Sequence, residues 1–361
     1  MGPTGAGQKN SWPGRLVCRR PCLYSWVRVR YSWDMNDISN LSWQDFECAS
    51  SSPKSLLCHP ELGVLAFTHN EVRRVSPGKP WALITEFPKY WDGNIALAGN
   101  GAVLSTSRER VQVWDAPHGG VRDISPGVRQ VSTLVALGDG RVLATGYVDL
   151  TPAKPGDPDN SCWAAAWDPS TDQWQEVAVP DAGGCDAITL RDGRALILSQ
   201  GEAFLFDGKR DRFTNAGGMS AKRLRPGLAV LASGRVLVAG GQKEVSWAPG
   251  VESGSQRSAD LFDPDTGDWT PLPPMMMNRG DCAAVVLPDG RAMIIGGLDS
   301  GTKVQATEIF DPTTSTWSMG PPLQIGPQRR TYPRGPVLAL PDGRVLVVDT
   351  DERRYSVLTL A

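Results

Sequence analysis

The residues with the most chemical promise are arginines at one recurring place. Arg129, Arg223 and Arg279 each stand ten residues before Asp139, Ser233 and Asp289, which open glycine turns. Arg334 lies eight residues before Asp342, which keeps strand parity, and Arg225, Arg329 and Arg330 are close by. A guanidinium is a planar fork of donors that matches carboxylate or phosphate, so a ring of such forks would suit an acidic ligand or peptide. The same spacing also fits a structural role, in which the arginines cap loop carbonyls or pair with carboxylates of a neighbouring unit. Sequence alone leaves both readings open.

Other chemistry is thinly supplied. The histidines are His59, His69 and His118, all near the start of the chain, which argues against a His-based triad and against zinc hydrolysis. Seven cysteines are scattered, and Cys18-x3-Cys22 has no second Cys or His pair at finger-like spacing. No metal and no cofactor are therefore expected. Asp139, Asp192, Asp289 and Asp342 precede glycines, while Asp115, Asp168, Asp207, Asp263 and Asp311 follow aromatics. Recurrence in successive units is what a structural role predicts, since one catalytic site needs its acid once.

The elements that must position these side chains come from a repeat. Gly140-Arg-Val-Leu, Gly193-Arg-Ala-Leu, Gly234-Arg-Val-Leu, Gly290-Arg-Ala-Met and Gly343-Arg-Val-Leu share one pattern, with Gly101 and the Leu62-Gly-Val-Leu-Ala-Phe run as variants. From Gly101 on, the anchors are 39, 53, 41, 56 and 53 residues apart. Asp-Gly between apolar runs signals a hairpin, and the lack of strict alternation in both runs implies strands buried on both faces. A third and a fourth strand follow, marked by Trp114, Trp167, Phe206, Phe262 and Phe310. Trp174, Phe213, Trp269 and Trp317 come seven residues after four of these, and Val121 holds the slot after Trp114. Four short antiparallel strands per unit make one blade of a β-propeller.

The pairs Gly240-Gly241 and Gly296-Gly297, each followed by an aromatic and then a Trp seven residues on, resemble the kelch repeat. The chain is most similar to the bacterial kelch and galactose-oxidase-like propellers, whose repeats carry runs such as Leu287-Pro-Asp-Gly-Arg. This resemblance implies an all-β fold: a single closed β-propeller of four-stranded kelch-type blades, seven by the count of anchors. The copper-radical site of galactose oxidase requires two histidines, two tyrosines and a cysteine crosslinked to one of them, a set this chain lacks in its later repeats. Gly140, Gly193, Gly234, Gly240, Gly241, Gly290, Gly296, Gly297 and Gly343 are assigned structural roles, with Trp174, Trp269 and Trp317. The last repeat stops before its fourth strand, so Leu41-Ser-Trp43-Gln-Asp-Phe46 is expected to close the last blade, with Trp43 standing in for Trp269 and Trp317.

Residues 1–38 are read as a disordered or mis-annotated extension, with Met35 a candidate initiator, and residues 39–361 as the propeller. Net charge is −2, which disfavours a polyanion-binding protein. No apolar run approaches the roughly 18 residues of a membrane span, and no signal peptide is recognisable. Nucleic acid and membrane are therefore not expected as partners, and a cytoplasmic monomer is. Long insertions at Tyr147 to Ser161 and Gln242 to Ser258, the latter with Trp247, join second strands to third strands and share a face with the connections between blades. The favoured function is a non-catalytic binding module. Its channel mouth and loop face would present Arg129, Arg223, Arg225, Arg279, Arg330, Arg334, Trp247 and Tyr147 to a protein partner, an acidic small molecule or a carbohydrate. The alternative is a carbohydrate-active lyase, epimerase or glycosidase using Asp or Glu with arginines on that face.

Overall fold

The computed structural model describes residues 41–47, 53–68, 70–86, 94–107, 110–116, 119–127, 129–148, 162–180, 186–199, 201–243, 254–323, 337–349 and 354–360. The N-terminal extension and Met35 lie outside them. The described residues form seven four-stranded antiparallel sheets and one two-stranded hairpin. The sheets are blades 1 to 7, spanning residues 55–86, 95–123, 129–177, 186–218, 227–272, 283–319 and 337–360. Their inner strands (Ser55–His59, Ile95–Leu97, Arg129–Ala136, Asp186–Thr189, Gly227–Val230, Ala283–Val286 and Val337–Ala339) touch one another in cyclic order, and the last touches the first. The fold is a seven-bladed β-propeller.

Closure follows the sequence expectation. Leu41–Glu47 is the outer strand of blade 7, antiparallel to Arg354–Leu360, with Trp43 opposite Leu358. Leu358 in turn pairs with Val345, just as Phe262 pairs with Val236 and Trp269 with Phe262 in blade 5. Trp43 thus occupies the register position of Trp269 and Trp317. The first and last described strands share one sheet, which closes the ring of blades.

The core is divided among the junctions. Seven apolar clusters are present, and each joins two neighbouring blades. The cluster between blades 7 and 1 contains Trp81 and Tyr355, whose rings lie 4.9 Å apart. A strand inside such a ring meets apolar neighbours on both faces, which explains the continuous apolar runs of Ala195–Ser199, Val236–Ala239 and Ala292–Ile295. At about 1.5–3 kcal/mol for each large apolar side chain removed from water, these junctions supply most of the favourable free energy.

The repeated glycine makes the hairpins possible. In blade 3, Gly140 N–H donates to Leu137 O at 3.1 Å and Leu137 N–H to Arg141 O at 2.9 Å, with Gly140 at φ 91°. This is a three-residue turn whose last position is left-handed, where a Cβ is disfavoured. Asp139 then accepts Arg141 N–H at 3.1 Å and the guanidinium of the same arginine at 2.9 Å. Arg141 reaches on to Gly208 O and Asp211 of blade 4, and Arg194 likewise reaches Pro264 O of blade 5 at 2.7 Å. Hence Asp-Gly-Arg both shapes its own turn and fastens the next blade. Blade 1 does this with His59, whose Nδ1 accepts Glu61 and Leu62 N–H at 3.2 Å while Nε2 donates to Gly101 O at 2.9 Å.

Candidate functional site

Second strands join third strands, and each blade joins the next, on the face opposite these hairpin turns. There, Gly240 and Gly241 adopt φ 69° and 103°, and Gly296 and Gly297 adopt 64° and 95°. Each pair turns the chain at the end of its strand. Arg223 and Arg279 donate to carbonyls around that turn. Arg223 donates to Ser258 O at 2.8 Å, Gly240 O at 3.3 Å and Val238 O at 3.5 Å, and it forms an ion pair with Asp260. Arg279 donates to Ala306 O at 2.9 Å, Gly296 O at 3.0 Å and Glu308 at 2.9 Å. All four paired side chains are 0% exposed.

The expectation that Arg223 and Arg279 face the channel mouth is therefore corrected: both lie inside their own blades. Burial lowers the pKa of Arg223, and the charges of Asp260 and Cys282 oppose that shift. Asp260 also accepts Ser220 Oγ at 2.9 Å, and Glu308 accepts Met276 N–H at 2.6 Å and Met277 N–H at 3.1 Å. A signal for this existed in the sequence. Asp260 and Glu308 each stand two residues before the repeat aromatic, in the two blades that carry Gly-Gly.

Arg225 does reach the surface. Its side chain is 42% exposed and lies 3.4 Å from Asp281, while its N–H donates to Asp186 at 2.9 Å. Gln242 Nε2 donates to Asp281 at 2.8 Å. Arg225 and Asp281 hold equivalent places in blades 5 and 6 and share φ 52°. A polar chain thus runs from blade 4 through blade 5 to blade 6. Arg129 opens the inner strand of blade 3 and Tyr147 lies in Val142–Val148, but their side chains lie outside the described residues, as do Trp247, Arg330 and Arg334 altogether.

Bridges tie this loop face together. Leu224 pairs with Gln242, Gln242 with Ser255, and Gly280 with Leu298. Ser255 Oγ donates to Leu298 O at 2.7 Å, which anchors the small hairpin of Leu298–Asp299 and Thr302–Lys303. Elsewhere, a groove of about 590 Å³ between blades 2 and 3 is lined by Arg122, Asp123, Ser125, Asp172, Gln173 and Trp174. Its guanidinium is engaged by Asp172 at 2.5 Å and Asp115 at 3.3 Å. Among the described residues, no group of three or more His, Cys, Asp or Glu could hold a metal ion, and no helix is long and apolar enough to cross a membrane.

Ring, turns and Gly-Gly blades together define a β-propeller with kelch-type repeats. The Kelch motif family model matches residues 225–276 and 279–324, which are blades 5 and 6 with their connections. An F-box/kelch-repeat protein of Arabidopsis thaliana is 27% identical over 135 residues, a stretch that covers 33% of this chain and 31% of that relative. The match thus spans under a third of the relative's length. Among solved structures, a fungal AA5-family alcohol oxidase in complex with copper is similar with TM-score 0.67 and 16% identity, over 89% of this chain and 76% of the oxidase. Virginiamycin B lyase from Staphylococcus aureus is similar with TM-score 0.63 and 10% identity, over 89% of this chain and 100% of the lyase. At those identities the likeness concerns the fold alone. Blades 5 and 6 thus carry Kelch motifs within a seven-bladed β-propeller.

Proposed function

We propose that the protein is a non-catalytic binding module that holds a protein partner on its loop face, chiefly over blades 5 and 6. One observation carries this reading: the buried carboxylates described in that region are already engaged. Asp260 and Glu308 are buried against Arg223 and Arg279, and the buried Asp281 is bonded by Arg225 and Gln242. What the face offers to solvent is a set of side chains on bridged connections, an arrangement suited to recognition. A partner protein also accords with the kelch-type repeats. Monomeric, cytoplasmic action belongs to the same proposal.

Site-specific photocrosslinking in the native host tests it. A photoreactive residue in place of Lys243 on the loop face should yield a discrete polypeptide adduct, and one in place of Arg210 on the turn face should not. Adducts from Arg210 alone would overturn the proposal. So would a stoichiometric sugar acid released from natively purified protein in denaturing mass spectrometry.

A further inference from the structure

Large hydrophobic side chains at the surface are few, and most of them gather at one place. Among the described residues they are Leu83, Met276, Met277 and Met319. Met276 and Met277 are 49% and 39% exposed and lie on the connection from blade 5 to blade 6. Their backbone N–H groups are held by the Glu308 carboxylate, which is fixed in turn by Arg279. Met319, 45% exposed, pairs with Glu308 across the sheet, and directly opposed residues project from the same face. Two residues earlier on that face, Trp317 donates to Pro273 O at 2.8 Å, at the start of the same connection. Met276 and Met277 therefore sit on backbone held by one buried ion pair, and Met319 lies opposite a member of that pair.

Cations outnumber carboxylates around them. Met275 N–H donates to the carbonyl of exposed Arg257 at 2.8 Å, and Gln256 Nε2 donates to the carbonyl of exposed Lys222 at 2.7 Å. Lys243, also exposed, is bonded to Gly254 on the adjoining strip. Asp260, Glu308 and Asp281 are engaged by buried or bridging partners, so the described carboxylates reaching solvent on this part of the face are Asp299 at the hairpin and Glu202, next to Gly201, which packs against Lys222. The acidic turns lie on the opposite face, so the net charge of −2 conceals a local excess of cations.

We infer that this surface of Met276, Met277 and Met319, rimmed by Lys222, Lys243 and Arg257, docks an acidic segment of another protein that carries apolar side chains. Methionine is unbranched and polarizable, so it adapts to apolar side chains of varied shape. The cations select an acidic strand and speed its encounter. The inference rests on the proposed binding role but sites it over the blade 5 to blade 6 connection, away from the channel mouth.

The test uses the full chain and a short fluorescein-labelled peptide in which Glu and Leu alternate. Binding measured by anisotropy should weaken as salt is raised. Lys222→Glu with Arg257→Glu, and separately Met276→Ser with Met277→Ser, should each lower affinity about tenfold. Their melting temperatures should match wild type, because all four side chains are exposed. Equal binding of a peptide with Lys for Glu, tighter binding of a DNA oligonucleotide of equal charge, or unchanged affinity in both variants would overturn the inference. Self-association that the charge variant abolishes, without peptide binding, would assign the surface to a second copy and overturn it too. Loop-face crosslinks that persist while the peptide fails would leave the broader proposal standing.

Discussion

Replacing Arg223 separates a structural arginine from a ligand-facing one. In Arg223→Met the Asp260 carboxylate keeps a position that is 0% exposed but loses its counter-charge. Breaking a buried pair from one side costs about 3–5 kcal/mol, mainly because an uncompensated charge stays behind. Ser258 O loses the 2.8 Å bond but keeps Gly240 N–H at 3.0 Å, and with the 3.3 Å bond to Gly240 O the lost contacts cost about 1 kcal/mol more; Val238 O at 3.5 Å contributes little. Arg223→Met should therefore destabilise by about 4–6 kcal/mol. Arg223→Met with Asp260→Leu removes the orphan charge but not the missing carbonyl cap, so about 1–3 kcal/mol should remain. Equilibrium urea unfolding, followed by tryptophan fluorescence and circular dichroism, supplies the double-mutant cycle. A single mutant within about 0.5 kcal/mol of wild type, as for an exposed side chain, would refute the reasoning. So would a double mutant no more stable than the single.

Three further outcomes follow from the same coordinates. Trp269→Phe and Trp317→Phe should each cost about 1 kcal/mol, because each indole N–H bonds the preceding blade, at Ala216 O (2.7 Å) and Pro273 O (2.8 Å), while the ring contacts to Phe262 and Phe310 can survive; unchanged urea midpoints would dismiss this link. Gly240→Ala should be far worse than Gly296→Ala by the same assay, since a Cβ at Gly240 would meet Arg279 O at 2.5 Å while one at Gly296 meets nothing within 4 Å; at Gly296 only the left-handed backbone is penalised, by about 1–2 kcal/mol, and equal losses would contradict the packing argument. The Asp168 and Asp311 carboxylates are held below the ordinary 3.8, first by side-chain and then by backbone hydrogen bonds from Ser170 and Thr313. Depressed values in the folded state mean stabilisation that is present above the ordinary value and lost as pH falls below it, so the stability gap between wild type and Ser170→Ala with Thr313→Ala should shrink below pH 4 or so; a gap independent of pH would remove that role.

The parts of this fold legible in the sequence are those set by local chemistry. A left-handed glycine after Asp, an aromatic seven residues before another, and a missing last strand each have one cheap structural solution, and Trp43 opposite Leu358 follows from them. Less legible were features that depend on two blades at once. Gly99 and Gly138 precede the anchors Gly101 and Gly140 by two residues, and the turns of neighbouring blades touch there: a Cβ on Gly99 would lie 2.7 Å from the Gly140 Cα, and one on Gly193 would lie 2.7 Å from the Gly138 Cα. The direction of Arg223 and Arg279 was hidden for a similar reason. Counting back ten residues from a turn locates the arginine along the chain, but the side chain is aimed by carbonyls around the Gly-Gly turn and by a carboxylate 37 or 29 residues later.

For Arg223 and Arg279 the structural reading of the spacing holds, and it bears on the surface above them. Arg279 neutralises Glu308, and Glu308 binds the N–H groups of Met276 and Met277, so the buried pair fixes the backbone under exposed apolar side chains. Arg223 does the comparable work one blade earlier, where Asp260 holds Ser220 next to Ala221 and Lys222. Blades 5 and 6 combine Gly-Gly, a buried arginine and a carboxylate two residues before the aromatic, and they are also the blades that the Kelch motif matches. Arginine inside the blade and cations on its connections are then successive layers of one arrangement: the first holds the connection in place, and the second is what the proposed docking surface would present to a partner.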